Sequence, residues 1–224
     1  MVEVVADADA AVAGVADGAT VLIGGFGAAG QPVELISALL RTSAGDLTVV
    51  SNNAGNGDEG LAALIGAGRV RKIICSFPRQ ADSWEFDRVY RAGQIELELV
   101  PQGTLAERIR AGGAGIGGFY CPTGVGTLLA DGKETRTIDG RDYVLELPIA
   151  GDVALVKAHR CDTAGNLTFR KTARNFGPVM ATAATCTVVQ VDDLVDAGEL
   201  DPESIATPGI FVHRVVVRRL VASN

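Results

Sequence analysis

Histidine is scarce in this 224-residue chain: only His159 and His213 occur. Neither lies beside a Gly-x-Ser-x-Gly elbow, which argues against a Ser-His-Asp hydrolase. Two scattered imidazoles are also too few for a zinc centre, so no metal site is expected. The four cysteines, Cys75, Cys121, Cys161 and Cys186, lie far apart with no Cys-x-x-Cys pair. Neither a metal knuckle nor a disulfide framework follows, and free thiols suggest a reducing cytoplasm. No apolar run reaches about 18 residues, so no membrane span is expected although 47% of the residues are hydrophobic. The acidic start, MVEVVADADA, lacks the basic region of a secretory signal. Positive charge is in deficit as well. The net charge of −7 argues against a nucleic-acid partner, which needs a broad positive field. An anionic small ligand needs only local cations. These cluster at Arg69, Arg71 and Lys72, at Arg108 and Arg110, and at Arg170, Lys171 and Arg174. Solvated helix faces and strand edges are the plain reading of each cluster, and a soluble tail that of Arg218-Arg219.

Glycine, by contrast, is abundant and unevenly placed. In Asp17–Pro32 (DGATVLIGGFGAAGQP) an Asp-Gly turn leads into the apolar run Val21-Leu22-Ile23. Gly24, Gly25, Gly27 and Gly30 follow, and Pro32 opens a helix-like VELISALL. The order is strand, glycine-rich loop, helix. Such a loop brings main-chain N–H groups close to a ligand, the start of the helix favours an anion, and Pro suits the first helical position. Gly25, Gly27 and Gly30 have the dinucleotide-binding spacing. The acidic residue which that site needs after the next strand is missing, because Leu47–Val50 runs into Ser51-Asn52-Asn53. A tight turn without a ligand remains the plain alternative.

The rest of the chain alternates. Helices are expected at Asp7–Val15, Val33–Leu40, Gly60–Gly66, from the cap Ser83 through Tyr90, and at Thr104–Arg110. Strands are expected at Thr20–Ile23, Leu47–Val50, Lys72–Cys75, Ile95–Val100, Tyr143–Leu147, Val153–Lys157, Thr185–Val191 and Phe211–Val217. The pattern predicts an α/β fold: a mostly parallel open sheet with helices on both faces, plus a glycine-rich insertion and short added strands. The insertion spans 111–140, and Asp139-Gly140 marks a turn inside it. No linker or repeat divides the chain, so 1–224 reads as one domain. Asn52 and Asn53 stand at the C-terminal end of a strand, where open α/β sheets bind ligands, and Gln102 stands at the end of another. Their amides can donate to a thioester carbonyl or a carboxylate. An Asx-turn is the alternative role for the asparagines.

The whole glycine segment resembles the N-terminal signature of family I CoA-transferases. That signature is Asp17-Gly18, the apolar triplet, Gly24-Gly25-Phe26, Gly30 and Pro32. Ser51-Asn52-Asn53, Pro101-Gln102-Gly103-Thr104-Leu105-Ala106-Glu107-Arg108 and Pro208-Gly209-Ile210-Phe211-Val212 resemble further blocks of the family's A subunits, in the same order. The resemblance implies covalent ping-pong chemistry. A glutamate attacks an acyl-CoA thioester, the released CoA attacks the resulting anhydride, and a second acid reverses the sequence from the glutamyl-CoA thioester. In the family that glutamate lies in a Ser-Glu-Asn-Gly block of the B subunit, and no such block occurs here. Glu59 and Glu146 are expected at turn or surface positions instead, so this chain carries no catalytic nucleophile. Gly24, Gly25, Phe26, Gly27, Ala28, Ala29 and Gly30 are then expected to contact CoA. Asn52, Asn53 and Gln102 would lie near the reacting acyl group. CoA serves as substrate and product, with no permanently bound cofactor. The partner is a B subunit in an A2B2 hetero-oligomer, to whose contact Gly112–Gly126 is a candidate contributor.

Two stretches, 52–60 and 72–83, resemble the A subunits of 3-oxoadipate CoA-transferases more than those of succinyl-CoA:acetoacetate enzymes. That resemblance implies CoA transfer from succinyl-CoA to 3-oxoadipate in aromatic-compound breakdown, with acetoacetate the rival acceptor. A distal carboxylate gains from a cation, and Arg79, in the loop after Lys72–Cys75, is the candidate. A module that binds a phosphorylated metabolite without chemistry is the reading from another functional class.

Overall fold

The computed structural model describes residues 2–218. Its strands are β1 (Glu3–Val4), β2 (Thr20–Ile23), β3 (Leu47–Val50), β4 (Val70–Cys75), β5 (Glu96–Leu99), β6 (Phe119–Cys121), β7 (Thr135–Ile138), β8 (Arg141–Glu146), β9 (Gly151–Lys157), β10 (Arg160–Asp162), β11 (Leu167–Thr168), β12 (Ala184–Val191), β13 (Asp193–Val195) and β14 (Arg214–Val217). Its α-helices are α1 (Ala8–Val12), α2 (Val33–Arg41), α3 (Gly60–Gly66), α4 (Trp84–Arg91), α5 (Gln102–Gly113) and α6 (Gly177–Thr182). None is long and apolar enough to cross a membrane.

Eight strands form one sheet in the order β1-β14-β12-β9-β2-β3-β4-β5, and every pairing in it is parallel. Strand side chains alternate between faces, and the core divides accordingly. Val21 and Ile23 of β2 join Leu35 and Leu39 of α2, Leu64 of α3 and Phe86 of α4 on one side. Leu22 joins Leu105 and Ile109 of α5 and Met180 of α6 on the other. A parallel sheet covered on both faces needs such near-continuous apolar strands.

Several boundaries shift for local reasons. Helix α1 keeps Asp7 as its cap, Oδ1 accepting from Ala10 N at 2.9 Å, but ends before Gly14. Pro32 is the N-cap of α2 rather than its first helical residue. Ser83 precedes α4 without capping it: its Oγ donates to Gly55 O and accepts from Gln80 N. Helix α5 is longer than expected at both ends, so Gln102 opens a helix instead of ending a strand. The last strand begins at Arg214, because Gly209–Phe211 is a short 3-10 turn.

The 111–140 stretch is more ordered than its glycines suggest. β6 and β7 flank β8 in an antiparallel sheet, with Asp139 and Gly140 both at positive φ in the β7–β8 turn. A Cβ on Gly112 would lie 2.1 Å from Ile149 O, and one on Gly113 2.5 Å from Thr182 Oγ1. These two glycines therefore serve packing within the chain. Arg218 is no free tail residue either, since its Nε lies 3.2 Å from Glu34 Oε1; Arg219 lies outside the described residues.

Candidate active site

The C-terminal ends of β2 to β5 share one edge of the sheet, and the segments that leave them build a cavity of about 670 Å³. Asn52 lies at its floor, 3% exposed. Its main-chain oxygen accepts from Ser76 N at 3.2 Å and Phe77 N at 3.0 Å, which locks the ends of β3 and β4 together. Its side-chain Oδ1 accepts from Ser76 Oγ at 2.7 Å and from Gln102 Nε2 at 2.8 Å. With Oδ1 held by two donors, the side-chain orientation is set and Nδ2 is left to donate. Phe26 and Phe77 are 52% and 58% exposed and form apolar walls.

Asn53 is bound differently. Its Oδ1 accepts from Gly55 N at 2.9 Å, the Asx-turn expected as its alternative role. Its Nδ2 is buried without a partner, and the residue lines an adjoining cleft of about 190 Å³, which also takes in Gly27, Gln31, Asn56 and Gln80. An unpaired buried amide donor costs roughly 1–3 kcal/mol. A ligand oxygen in this cleft would remove that cost.

The glycine loop separates these spaces. Phe26 and Ala29 exchange both main-chain hydrogen bonds, at 3.0 and 3.1 Å, so residues 26–29 close into a tight turn. Gly27 faces both cavities, Ala28 only the cleft, and Ala29 the opposite side. Gly24 N donates to Leu155 O, tying the loop to β9. The anion expected at the start of α2 has a competitor, because Glu34 N already donates to Gln190 Oε1 at 3.2 Å.

Helix α5 is anchored by charge. Glu98 of β5 accepts from Arg108 Nη1 at 2.8 Å and lies 2.8 Å from Lys72 Nζ. Burial works against the charged form of Glu98, but hydrogen bonds from Lys72 and Arg108 outweigh it and hold the carboxyl below its ordinary range. The bond to Glu98 also raises the pKa of Lys72. Arg108 thereby fixes the helix that begins with Gln102.

The cavity over Asn52 is lined by Phe26, Gly27, Ser76, Phe77, Gln80, Ala81 and Gln102 besides Asn52 itself, and none is ionisable near neutral pH. Cys75 lies just behind this wall, but burial pushes its thiol up to about 12, which removes the thiolate. Arg79 is not brought in: it pairs with Asp87 and lies over the Tyr90 ring, 5.8 Å from its centroid. Glu59 precedes α3 as its N-cap, exposed at the mouth of the cleft. Glu146 is not at a surface. It is 3% exposed, with Oε1 2.7 Å from Lys133 Nζ and Oε2 3.8 Å from Arg108 Nε. Ser76, Phe77 and Gln80 escaped the sequence reading. The signal was there: they follow a strand end just as Asn52 does.

Comparison with known proteins agrees with this geometry. A family model described as Coenzyme A transferase matches residues 5–218. The chain is similar to the A subunit of 3-oxoadipate CoA-transferase from Pseudomonas putida, 66% identical over 92% of this chain and 89% of that one. It is also similar to the A subunit of a succinyl-CoA:3-ketoacid coenzyme A transferase from Xanthomonas campestris pv. campestris, 54% identical over 95% and 87%. Among solved structures, an acyl-CoA transferase from E. coli O157:H7, in a thioester complex with CoA, superposes with a TM-score of 0.87 at 25% identity. That match covers 97% of this chain and 50% of the other, so the chain spans about half the length of the solved enzyme.

Proposed function

Because this chain belongs to the coenzyme A transferase family, we propose that it is the A subunit of an enzyme that moves CoA from succinyl-CoA to 3-oxoadipate. The observation that carries the reading is a polar floor without an activated nucleophile: Asn52, Ser76 and Gln102 converge under a cavity whose lining has no carboxylate, imidazole or thiol. Such a floor binds and orients an acyl group, and with no base in the lining to take its proton the Ser76 hydroxyl does not attack it. The attacking glutamate comes from a B chain that closes over the cavity. The 66% identity to a 3-oxoadipate enzyme, against 54% to a 3-ketoacid enzyme, favours the dicarboxylate acceptor.

The chain's own residues then have defined tasks. Asn52 Nδ2 donates to the thioester oxygen, which gains negative charge as the glutamate attacks, and the Ser76 and Gln102 bonds hold it in place beforehand. Asn53 Nδ2 takes an oxygen of the acid. Phe26 and Phe77 exclude water that would hydrolyse the anhydride and thioester intermediates. The cavity lining has no cation for the distal carboxylate of 3-oxoadipate. Arg79 would have to leave Asp87 to serve, so the partner is the better source. We read the chain as one domain that works in a hetero-oligomer with B, and its free cysteines suit a reducing cytoplasm.

Purified A and B chains mixed with succinyl-CoA and each oxoacid test the proposal. Faster turnover of 3-oxoadipate than of acetoacetate is expected, and the reverse order would move the chain to the rival acceptor. Mass spectrometry should find the glutamyl-CoA adduct on B. Glu59→Gln should leave turnover intact, and its abolition would put the nucleophile on this chain.

A further inference from the structure

One wall of the acyl cavity is a loop fastened at both ends. Residues 76–83 connect β4 to α4, and Ser76, Phe77, Gln80 and Ala81 of this loop line the cavity over Asn52. At its start, Ser76 N and Phe77 N donate to Asn52 O. Near its end, Gln80 N donates to Ser83 Oγ at 2.9 Å, and that hydroxyl donates to Gly55 O at 3.0 Å. Gly57 N donates to Asp82 O at 2.8 Å and Asn56 Nδ2 donates to Gln80 Oε1, so the segment after β3 is tied to the same end.

The middle of the loop has no such support. Proline lacks an N–H, and neither Pro78 nor Arg79 bonds to another main-chain group among the described residues. What holds this stretch is the Arg79 side chain, which reaches α4 instead of the cavity. Its Nε pairs with Asp87, and its guanidinium lies over the Tyr90 ring. The anchor is rigid. Tyr90 stacks on Phe86 with 5.4 Å between centroids, and Phe86 is buried in the core. Arg79 therefore ties the wall to the core from a position between Phe77 and Gln80, the two residues that shape the cavity there.

The tie is weak enough to matter for binding and not for the fold. Arg79 is 53% exposed and Asp87 32%, so solvent screens the ion pair. With the cation–π contact it shifts the balance between a fastened and a loose wall by roughly three- to tenfold. A site that is complete for only a fraction of the time binds its ligand more weakly by that fraction.

We propose that Arg79 is a positioning residue: it fastens the cavity wall from behind, and through Phe77 and Gln80 it sets the affinity for the acyl chain, whether or not that chain carries a distal charge. The assignment rests on the reading of the chain as half of a CoA-transferase.

The test uses the assembled A and B chains. Arg91 Nη2 lies 3.9 Å from Asp87 Oδ2 and keeps a cation beside that carboxylate, so Arg79→Ala should fold with a nearly parental thermal midpoint. It should raise KM for 3-oxoadipate roughly three- to tenfold at unchanged kcat, because a bound acid holds the wall in place. Affinity for 3-oxohexanoate, the same carbon chain without the distal carboxylate, should fall by the same factor, read as substrate or as competitive inhibitor. Asp87→Ala should act in the same direction, and the double variant should be no worse than Arg79→Ala. Hydrogen exchange over 77–83, followed by mass spectrometry, should quicken in Arg79→Ala. An effect confined to 3-oxoadipate, or tighter binding of it by Asp87→Ala, would make Arg79 a direct carboxylate ligand and overturn the proposal. A lower kcat at parental KM would leave Arg79 a merely stabilising residue and overturn it as well. A parent pair that moves no CoA to a 3-oxoacid would overturn the transferase reading alone; the exchange rate then decides, and an unchanged rate in Arg79→Ala would overturn the fastening role.

Discussion

Alanine at Gly30 is the sharpest probe of how the glycine loop is held. The backbone there has φ of 76°, and a Cβ would lie 2.5 Å from Ala173 O and 3.0 Å from Asn175 Nδ2. The left-handed conformation costs an L-residue roughly 1–2 kcal/mol. The carbonyl is backbone and cannot rotate away, so forcing it aside adds about 1–3 kcal/mol. Gly30→Ala should thus destabilise the chain by roughly 2–5 kcal/mol. Gly27→Ala is the control, because Gly27 also has positive φ, at 58°, but nothing lies within 4 Å of its Cβ. It should cost only about 1–2 kcal/mol. In urea, with a slope near ~3 kcal/mol/M, the Gly30 variant should unfold roughly 1 M earlier than the parent and the Gly27 variant at about half that shift. Equal midpoints for the two variants would refute a clamping role for the 172–175 turn.

Three further outcomes follow from the charges and thiols. Glu146→Gln removes the buried carboxylate that meets Lys133, while Arg108 keeps its bond to Glu98, so it should cost about 1–3 kcal/mol with turnover per folded pair retained. Lost turnover at an unchanged melting temperature would instead give Glu146 a chemical role. Glu98 has a lower pKa folded than unfolded, so its stabilisation is present above the unfolded value, near ~4.3, and disappears as pH falls through the folded value. Urea midpoints measured against pH should therefore fall less steeply in acid for Glu98→Gln than for the parent, and identical slopes would contradict the sign. The buried Cys75 and Cys161 thiols, each pushed up to about 12, should resist alkylation at pH 8 in the native chain, with Cys121 and Cys186 labelled first. Fast native labelling of Cys75 would refute its burial.

The alternation of apolar runs with amphipathic stretches was enough to find the β2–β5 strands and the helices between them. Each of those elements carries its own period and its own stop signal. Gly93 is an example: it closes α4 at φ of 68°. The elements that were missed are short and held by neighbours. β1 has two residues and exists because β14 offers a free edge, with Glu3 N donating to His213 O. The extra turn at the C-terminal end of α5 runs through Gly112 and Gly113, which read as loop until Ile149 and Thr182 are seen to need the space.

Read alone, the chain already specified a parallel sheet, a glycine turn after its second element, and amides in the segments that follow two of its strands, because these are local patterns with local causes. Who meets whom was decided only by tertiary structure. The sheet order put Ser76 beside Asn52, gave Asn52 Oδ1 to Gln102, and tied Arg79 to Asp87 away from the cavity. The same packing turned Arg170 and Lys171, a surface cluster on paper, into one wall of a cavity at the sheet's reversal point. Spacing along a chain sets a residue's own conformation, whereas charge pairing depends on through-space distances that only the folded sheet defines.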